Sequence, residues 1–213
     1  MIVLGLTGSI GMGKSTASAM FRRMGIPVYD SDASVHVVLG KGGAAVGPIG
    51  AAFPGVVVDG AVDRQALGKR VFGDDAALKS LEAIVHPLVR RVQDDFLKRC
   101  AARRCPLVVL DIPLLFEVRL DIRCDAAIVV SAPAFIQAAR VLARPGMTRE
   151  KFDGILARQM PDAEKRRRAD FVVSTGCGRR PTLNRLREIV TLLSGRRGTK
   201  WPSAVLRPRR PAG

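Results

Sequence analysis

The chain has 213 residues, 47% hydrophobic and 25% charged, a composition and length suited to one compact α/β domain with a small inserted cap and too short for two large independent domains. Its formal net charge of +16 attracts nucleic acid, membrane surfaces and small polyanions alike, but an aromatic content of 5% offers few of the stacking platforms that nucleic-acid readers use. No apolar run is as long as a membrane span, and Cys100, Cys105, Cys124 and Cys177 contain no CxxC pair, which argues against zinc and for reduced thiols in a cytoplasmic protein.

In chain order, the first apolar run, Ile2 to Leu6, lacks the basic flank of a signal peptide and reads as a strand. It leads into Gly8-Ser9-Ile10-Gly11-Met12-Gly13-Lys14-Ser15, which satisfies GxxxxGK[ST], and then into a helical stretch from Ala17 to Met24. A strand before the motif and a helix after it are the context that a phosphate-binding loop requires. Further strand-like runs follow at Ile26 to Tyr29, Leu107 to Leu110, Ala126 to Val130 and Phe171 to Val173. Nearly continuous apolar strands alternating with helices predict a parallel five-stranded sheet covered on both faces. The segment from about Ser34 to Pro87 breaks that rhythm. It holds a Gly-rich stretch, a helix with Asp63 as N-cap, and Leu81 to Val85 before His86-Pro87, and it reads as an inserted helical cap. A second interruption, Arg140 to Arg168, contains a Pro-Gly break and reads as a mobile helical lid. After Leu193 the chain is rich in Gly, Pro and Arg, and a poorly ordered basic tail is expected.

The loop motif carries the most specific chemistry. Its glycines let backbone N–H groups curl around phosphate oxygens, Lys14 reaches the β- and γ-phosphates, and the Ser15 hydroxyl ligates Mg²⁺. The backbone of Gly8, Ser9, Ile10, Gly11, Met12, Gly13, Lys14, Ser15 and Thr16 is therefore the expected cradle for ATP. Asp111 ends a strand resembling the one that holds a metal-bound water in other nucleotide enzymes. Ile112 follows it where a hydrolytic ATPase has a water-activating Glu. A capping role for Asp111 is the alternative. Asp30 and Asp32 lie at the carboxyl end of the second strand, where ligands of open α/β sheets gather; one of them is expected to orient an acceptor hydroxyl and the other to cap the next helix. Arg140 and Arg144, spaced i, i+4, are expected on one helix face, matching the oxygens of a transferring phosphoryl group. No guanine-reading motif is present.

Taken together, the motifs GLTGSIGMGKST from Gly5, VYDSD ending at Asp32, DRQALGKRVF from Asp63, LEAIVHP from Leu81, DIPLLFE from Asp111, RVLAR from Arg140 and RQMPDAEKRRRAD from Arg158 resemble the dephospho-CoA kinase family over nearly the whole chain. The resemblance implies a P-loop core at 1–31, 88–139 and 169–195, a helical acceptor (CoA)-binding insertion at 32–87, a lid at 140–168 and a basic tail at 196–213. It implies transfer of the ATP γ-phosphate to the ribose 3′-hydroxyl of dephospho-CoA, with Asp32 as base, Lys14, Arg140 and Arg144 acting on phosphate, and Mg²⁺ near Ser15, Asp32 and Asp111. No nucleic-acid or membrane partner is expected, and the protein should be a monomer or weak oligomer. The alternatives are a nucleoside monophosphate kinase and a nucleotide-dependent RNA-binding protein. Ser9, Met12 and Ser31 depart from the family pattern; Ser9 replaces a glycine, so a slightly altered loop is expected. Ser174-Thr175-Gly176 also departs, in the region that would meet adenine.

Overall fold

A computed structural model describes residues 1–202. The chain divides into two compact units, one formed by Met1–Tyr29 with the chain from Cys100 onward and the other by Asp30–Arg99.

In the first unit, β1 (Ile2–Thr7) leads through the glycine-rich loop into α1 (Lys14–Arg23), and β2 (Val28–Asp30) follows. The second unit opens with α2 (Ser31–Leu39) and α3 (Val46–Ala52). A hairpin of β3 (Val57–Val58) and β4 (Ala61–Val62) precedes α4 (Arg64–Val71), and α5 (Asp75–Ala102) carries the chain back. The remainder is β5 (Leu107–Asp111), a 3₁₀ turn, β6 (Ala126–Ser131), α6 (Ala134–Leu142), α7 (Arg149–Ala157), α8 (Asp162–Arg168), β7 (Phe171–Ser174) and α9 (Arg179–Leu193).

The five-stranded sheet has the order β2-β5-β1-β6-β7, with β1 parallel to both β5 and β6, and β6 parallel to β7. Every residue of β1 and β5 is buried, as expected of strands covered on both faces. The core is built from Leu4, Leu6, Val109, Ile128 and Val130 of the sheet, with Phe21 of α1 and Leu186 and Ile189 of α9 packed on it. This arrangement sets the glycine-rich loop at the carboxyl end of the central strand, with a neighbour on each side.

The Asp30–Arg99 unit has its own core of Val38, Leu39, Ile49, Phe53, Val56 and Leu67. Asp63 caps α4 as expected, accepting from the amides of Gln65 and Ala66. The hairpin was not expected in a helical insertion. It turns on Asp59 and Gly60, both with positive φ, the conformation an Asp-Gly hairpin turn demands. Pro87 lies inside a helix: α5 runs 28 residues through it. Leu81, Ile84, Val85, Leu88, Val89 and Val92 pack against the unit's core. Burying that stripe offsets the cost of an internal proline, about 3 kcal/mol.

Two further expectations are corrected. Arg144 is not on a helix with Arg140: α6 stops at Leu142, and Arg144 sits in the turn beyond it, its amide bonded to the Val141 carbonyl at 3.0 Å. Pro145 disfavours helical backbone at the residue before it, which is Arg144. The early part of the tail is also held. The amides of Thr199 and Lys200 donate to Asp125 Oδ1 at 2.6 and 3.0 Å, and the other oxygen of Asp125 accepts from the Val3 amide at the start of β1. The rest of the tail, 203–213, lies outside the described residues. Among the described residues, no helix is long and apolar enough to cross a membrane.

Candidate active site

β1 ends at Thr7, a fully buried residue whose hydroxyl donates to the Pro113 carbonyl at 2.8 Å. From there the loop Gly8–Gly13 is held by its carbonyls. The Ile10 carbonyl accepts from Gln137 Nε2 at 2.7 Å, the Gly11 carbonyl from Arg140 at 3.3 Å, and the Met12 carbonyl from Thr175 Oγ1 at 2.8 Å. The Gly13 carbonyl takes the amides of Thr16 and Ala17. A trans peptide sets its N–H opposite its C=O, so the held carbonyls of Ile10, Met12 and Gly13 turn the amides of Gly11, Gly13 and Lys14 inward. The amides of Gly11, Gly13, Lys14 and Ser15 make no hydrogen bond among the described residues. Gathered at the positive end of α1, they form a nest for an anion.

Two glycines are required by this geometry. Gly11 has φ +76, and a Cβ there would meet Val141 Cγ2 at 2.5 Å; Gly13, with φ +89, caps α1 in the left-handed region. Ser9 does not need glycine's freedom. It lies outside the positive-φ set, and its carbonyl accepts from the Met12 amide at 3.1 Å, so this position adopts no backbone conformation reserved to glycine. The Met12 side chain turns into the core, its sulfur accepting from the Ala132 amide.

Lys14 begins α1 and pairs with Asp111 at the end of β5, Nζ to Oδ1 2.6 Å; the other carboxylate oxygen is taken by the Ser18 hydroxyl, one turn along α1. Asp111 is 3% exposed, and these two partners fix it. Ser15 and Thr16 are exposed on the first turn of α1, and the Ser15 hydroxyl has no partner among the described residues. The structure thus brings together the loop, Lys14, Asp111 and Arg140. Arg140 is bound not only to Gly11 but to the hydroxyl and carbonyl of Thr175, at 3.0 and 2.7 Å. Arg144 is exposed and makes no side-chain bond among the described residues.

Asp30 and Asp32 belong to the start of the other unit and divide their roles there. Asp30 caps α2, its Oδ1 accepting from the Ala33 amide at 3.0 Å. Asp32 is exposed in the first turn of α2 with no side-chain hydrogen bond among the described residues.

Sequence reasoning missed Ser18, Gln137, Gln159 and the structural use of Thr175. Ser18 was findable, because i+4 from Lys14 lies on the same helix face; the glutamines carried no signal, since their partners are backbone atoms of a distant loop. Among the described residues there is no cluster of three acidic, His or Cys side chains able to hold a metal by itself. The donors present are a free hydroxyl at Ser15 and a fixed carboxylate at Asp111, both hard oxygen groups that suit Mg²⁺ completed by water and substrate phosphates.

A family model described as dephospho-CoA kinase matches residues 2–178. A dephospho-CoA kinase of Paramagnetospirillum magneticum is 65% identical over 197 residues, covering 92% of this chain and 93% of that protein. One of Mesorhizobium japonicum is 56% identical, covering 93% and 100%. Among solved structures, TT1252 from Thermus thermophilus superposes with a TM-score of 0.81 at 40% identity, over 91% of this chain and 98% of that one. The dephospho-CoA kinase from Campylobacter jejuni, at 21% identity and a TM-score of 0.60 over 90% and 96%, shares the fold. The chain belongs to the dephospho-CoA kinase family, whose members are ATP-dependent kinases.

Proposed function

We propose that the chain transfers the γ-phosphate of ATP to the ribose 3′-hydroxyl of dephospho-CoA, giving CoA and ADP. The observation that carries this reading is the set of four unpaired loop amides beside Lys14, a cradle for a polyphosphate, within a chain whose relatives bear that enzyme's name. In this reading the amides of Gly11, Gly13, Lys14 and Ser15 bind the phosphate chain, and Lys14 exchanges its bond to Asp111 for the β- and γ-phosphates. Ser15 would be the protein ligand for Mg²⁺, and Asp111 and Asp32 would hold its waters. Bound there, the ion would neutralise charge building on the phosphates. Arg140 keeps the loop edge in place, and Arg144, whose side chain has no other partner among the described residues, is available to a phosphate. Residues 140–168 act as the lid and the Asp30–Arg99 unit takes the acceptor. Both substrates are small polyanions, which suits the net charge of +16; the enzyme would work in the cytoplasm as a monomer or weak oligomer.

Asp32 is the base toward the 3′-hydroxyl, because Asp30 already spends an oxygen on its helix cap. A coupled ADP-release assay comparing dephospho-CoA with nucleoside monophosphates tests the acceptor; turnover with a monophosphate and none with dephospho-CoA would overturn the reading. General-base terms are about 10² to 10⁴ in rate, so Asp32→Asn should lower kcat by roughly that factor. Asp30→Asn, which keeps a good N-cap, should leave most activity in place. The reverse pattern would reassign the base.

A further inference from the structure

The peptide units on either side of Ile10 are gripped by two glutamines from different elements. Gln137 of α6, 6% exposed, donates to the Ile10 carbonyl at 2.7 Å, and Gln159, between α7 and α8, accepts from the Ile10 amide through Oε1 at 3.0 Å. We propose that Gln159, together with Gln137, is a positioning residue for the phosphate-binding loop, and that it couples the docking of the α7–α8 segment to nucleotide affinity.

Peptide planarity gives the two contacts their effect. Gln137 draws the Ile10 carbonyl outward and so turns the Gly11 amide into the nest. Gln159 draws the Ile10 amide outward and so turns the Ser9 carbonyl the other way, where it takes the Met12 amide at 3.1 Å and closes the turn. A glutamine on a loosely held connection would fix nothing, but this one is anchored at its next residue. The Met160 amide donates to Glu117 Oε1 at 2.9 Å. The same oxygen pairs at 2.9 Å with Lys165, which is completely buried. Lys165 also donates to the Pro113 carbonyl, which accepts from Thr7 at the entrance to the loop. The network leaves the chain one residue before Gly8 and returns to it at Ile10. Whatever docks α7–α8 therefore orders the loop, and by linkage a nucleotide that orders the loop docks α7–α8.

The proposal rests on the kinase reading only in needing a bound nucleotide, so its test uses ADP with Mg²⁺ and no acceptor. Gln159→Met keeps the length and volume but has no acceptor. Losing one neutral hydrogen bond should weaken ADP binding roughly fivefold by calorimetry, with the melting temperature of the free protein lowered by no more than a few degrees and the KM of the acceptor unchanged. Gln137→Met should weaken it similarly. The double variant should fall short of the product of the two effects, because both act through one peptide segment. Hydrogen exchange in α7 and α8 should slow when ADP binds the wild type and change much less in Gln159→Met. Gln159→Glu, which restores an acceptor, should recover the ADP-linked protection. ADP affinity unchanged in Gln159→Met, or protection of α7–α8 equal in variant and wild type, would overturn the coupling. A chain that used another acceptor would still give the ADP results, so failure of the acceptor assignment would be told apart from failure of this one.

Discussion

Lys14 serves two partners in turn. Until phosphate arrives its ammonium is held by a carboxylate that is 3% exposed, while its own side chain is 17% exposed, so it is both a ligand-binding group and the counter-ion of a buried charge. A lysine serving phosphate alone could be removed without touching the fold. Here Lys14→Ala should abolish measurable phosphoryl transfer and also destabilise the protein by about 1–3 kcal/mol, because Asp111 is left with only Ser18. Thermal melts of Lys14→Ala and of Lys14→Ala/Asp111→Asn check this: the second change should recover part of the loss, and an unaltered melting temperature in the single variant would count against it. Cys124 is a buried residue. Burial, aided by the nearby Asp121 and Asp125, pushes the Cys124 thiol up to about 12, so it stays neutral.

At the scale of elements, the Glu117–Lys165 pair joins the segment after β5 to α8. Burial pushes the Glu117 carboxyl up, but bonds from Lys165, from the Met160 amide and from its own backbone outweigh it and hold the group below its ordinary value of 4.5. The sign follows from linkage: a depressed carboxyl adds stability that is fully present above its unfolded value and is lost as pH falls through the folded one. Glu117→Gln should therefore be less stable than wild type at pH 7, by roughly 3 kcal/mol, since Lys165 stays buried without its counter-ion. The gap should begin to narrow as pH drops below about 4.5, where Glu117 of the unfolded chain takes up a proton, and close once pH has fallen through the lowered folded value. Urea denaturation at a series of pH values reads the gap directly; a difference independent of pH would show that the charge is not what matters.

For the whole molecule, the two ends of the described chain meet at Asp125, which accepts the Val3 amide through one oxygen and the amides of Thr199 and Lys200 through the other. Truncation after Leu193 should cost about 1–2 kcal/mol and lower the melting temperature by a few degrees, with kcat/KM within a few-fold of the full chain. Truncation after Pro202, which keeps those contacts, should leave the melting temperature unchanged. What was legible in the sequence was what short spacing dictates. Apolar strands between helices implied the parallel sheet, GSIGMGKS between a strand and a helix implied the phosphate loop, and Asp63 before α4 was readable as a cap, because each depends on neighbours a few residues away. The local pattern also misled: Arg144 looked like a continuation of the Arg140 face, and Pro145 decided otherwise. Gln137, Gln159, Thr175 and the Glu117–Lys165 pair became visible only in the tertiary structure. Their partners are 35 to 163 positions away in the chain wherever they touch the loop or its supports, and, apart from the Glu117–Lys165 ion pair and the Arg140 bond to the Thr175 hydroxyl, the contacts are to backbone atoms. A backbone N–H or C=O is the same at every residue, so no pattern of side chains announces which one will be held.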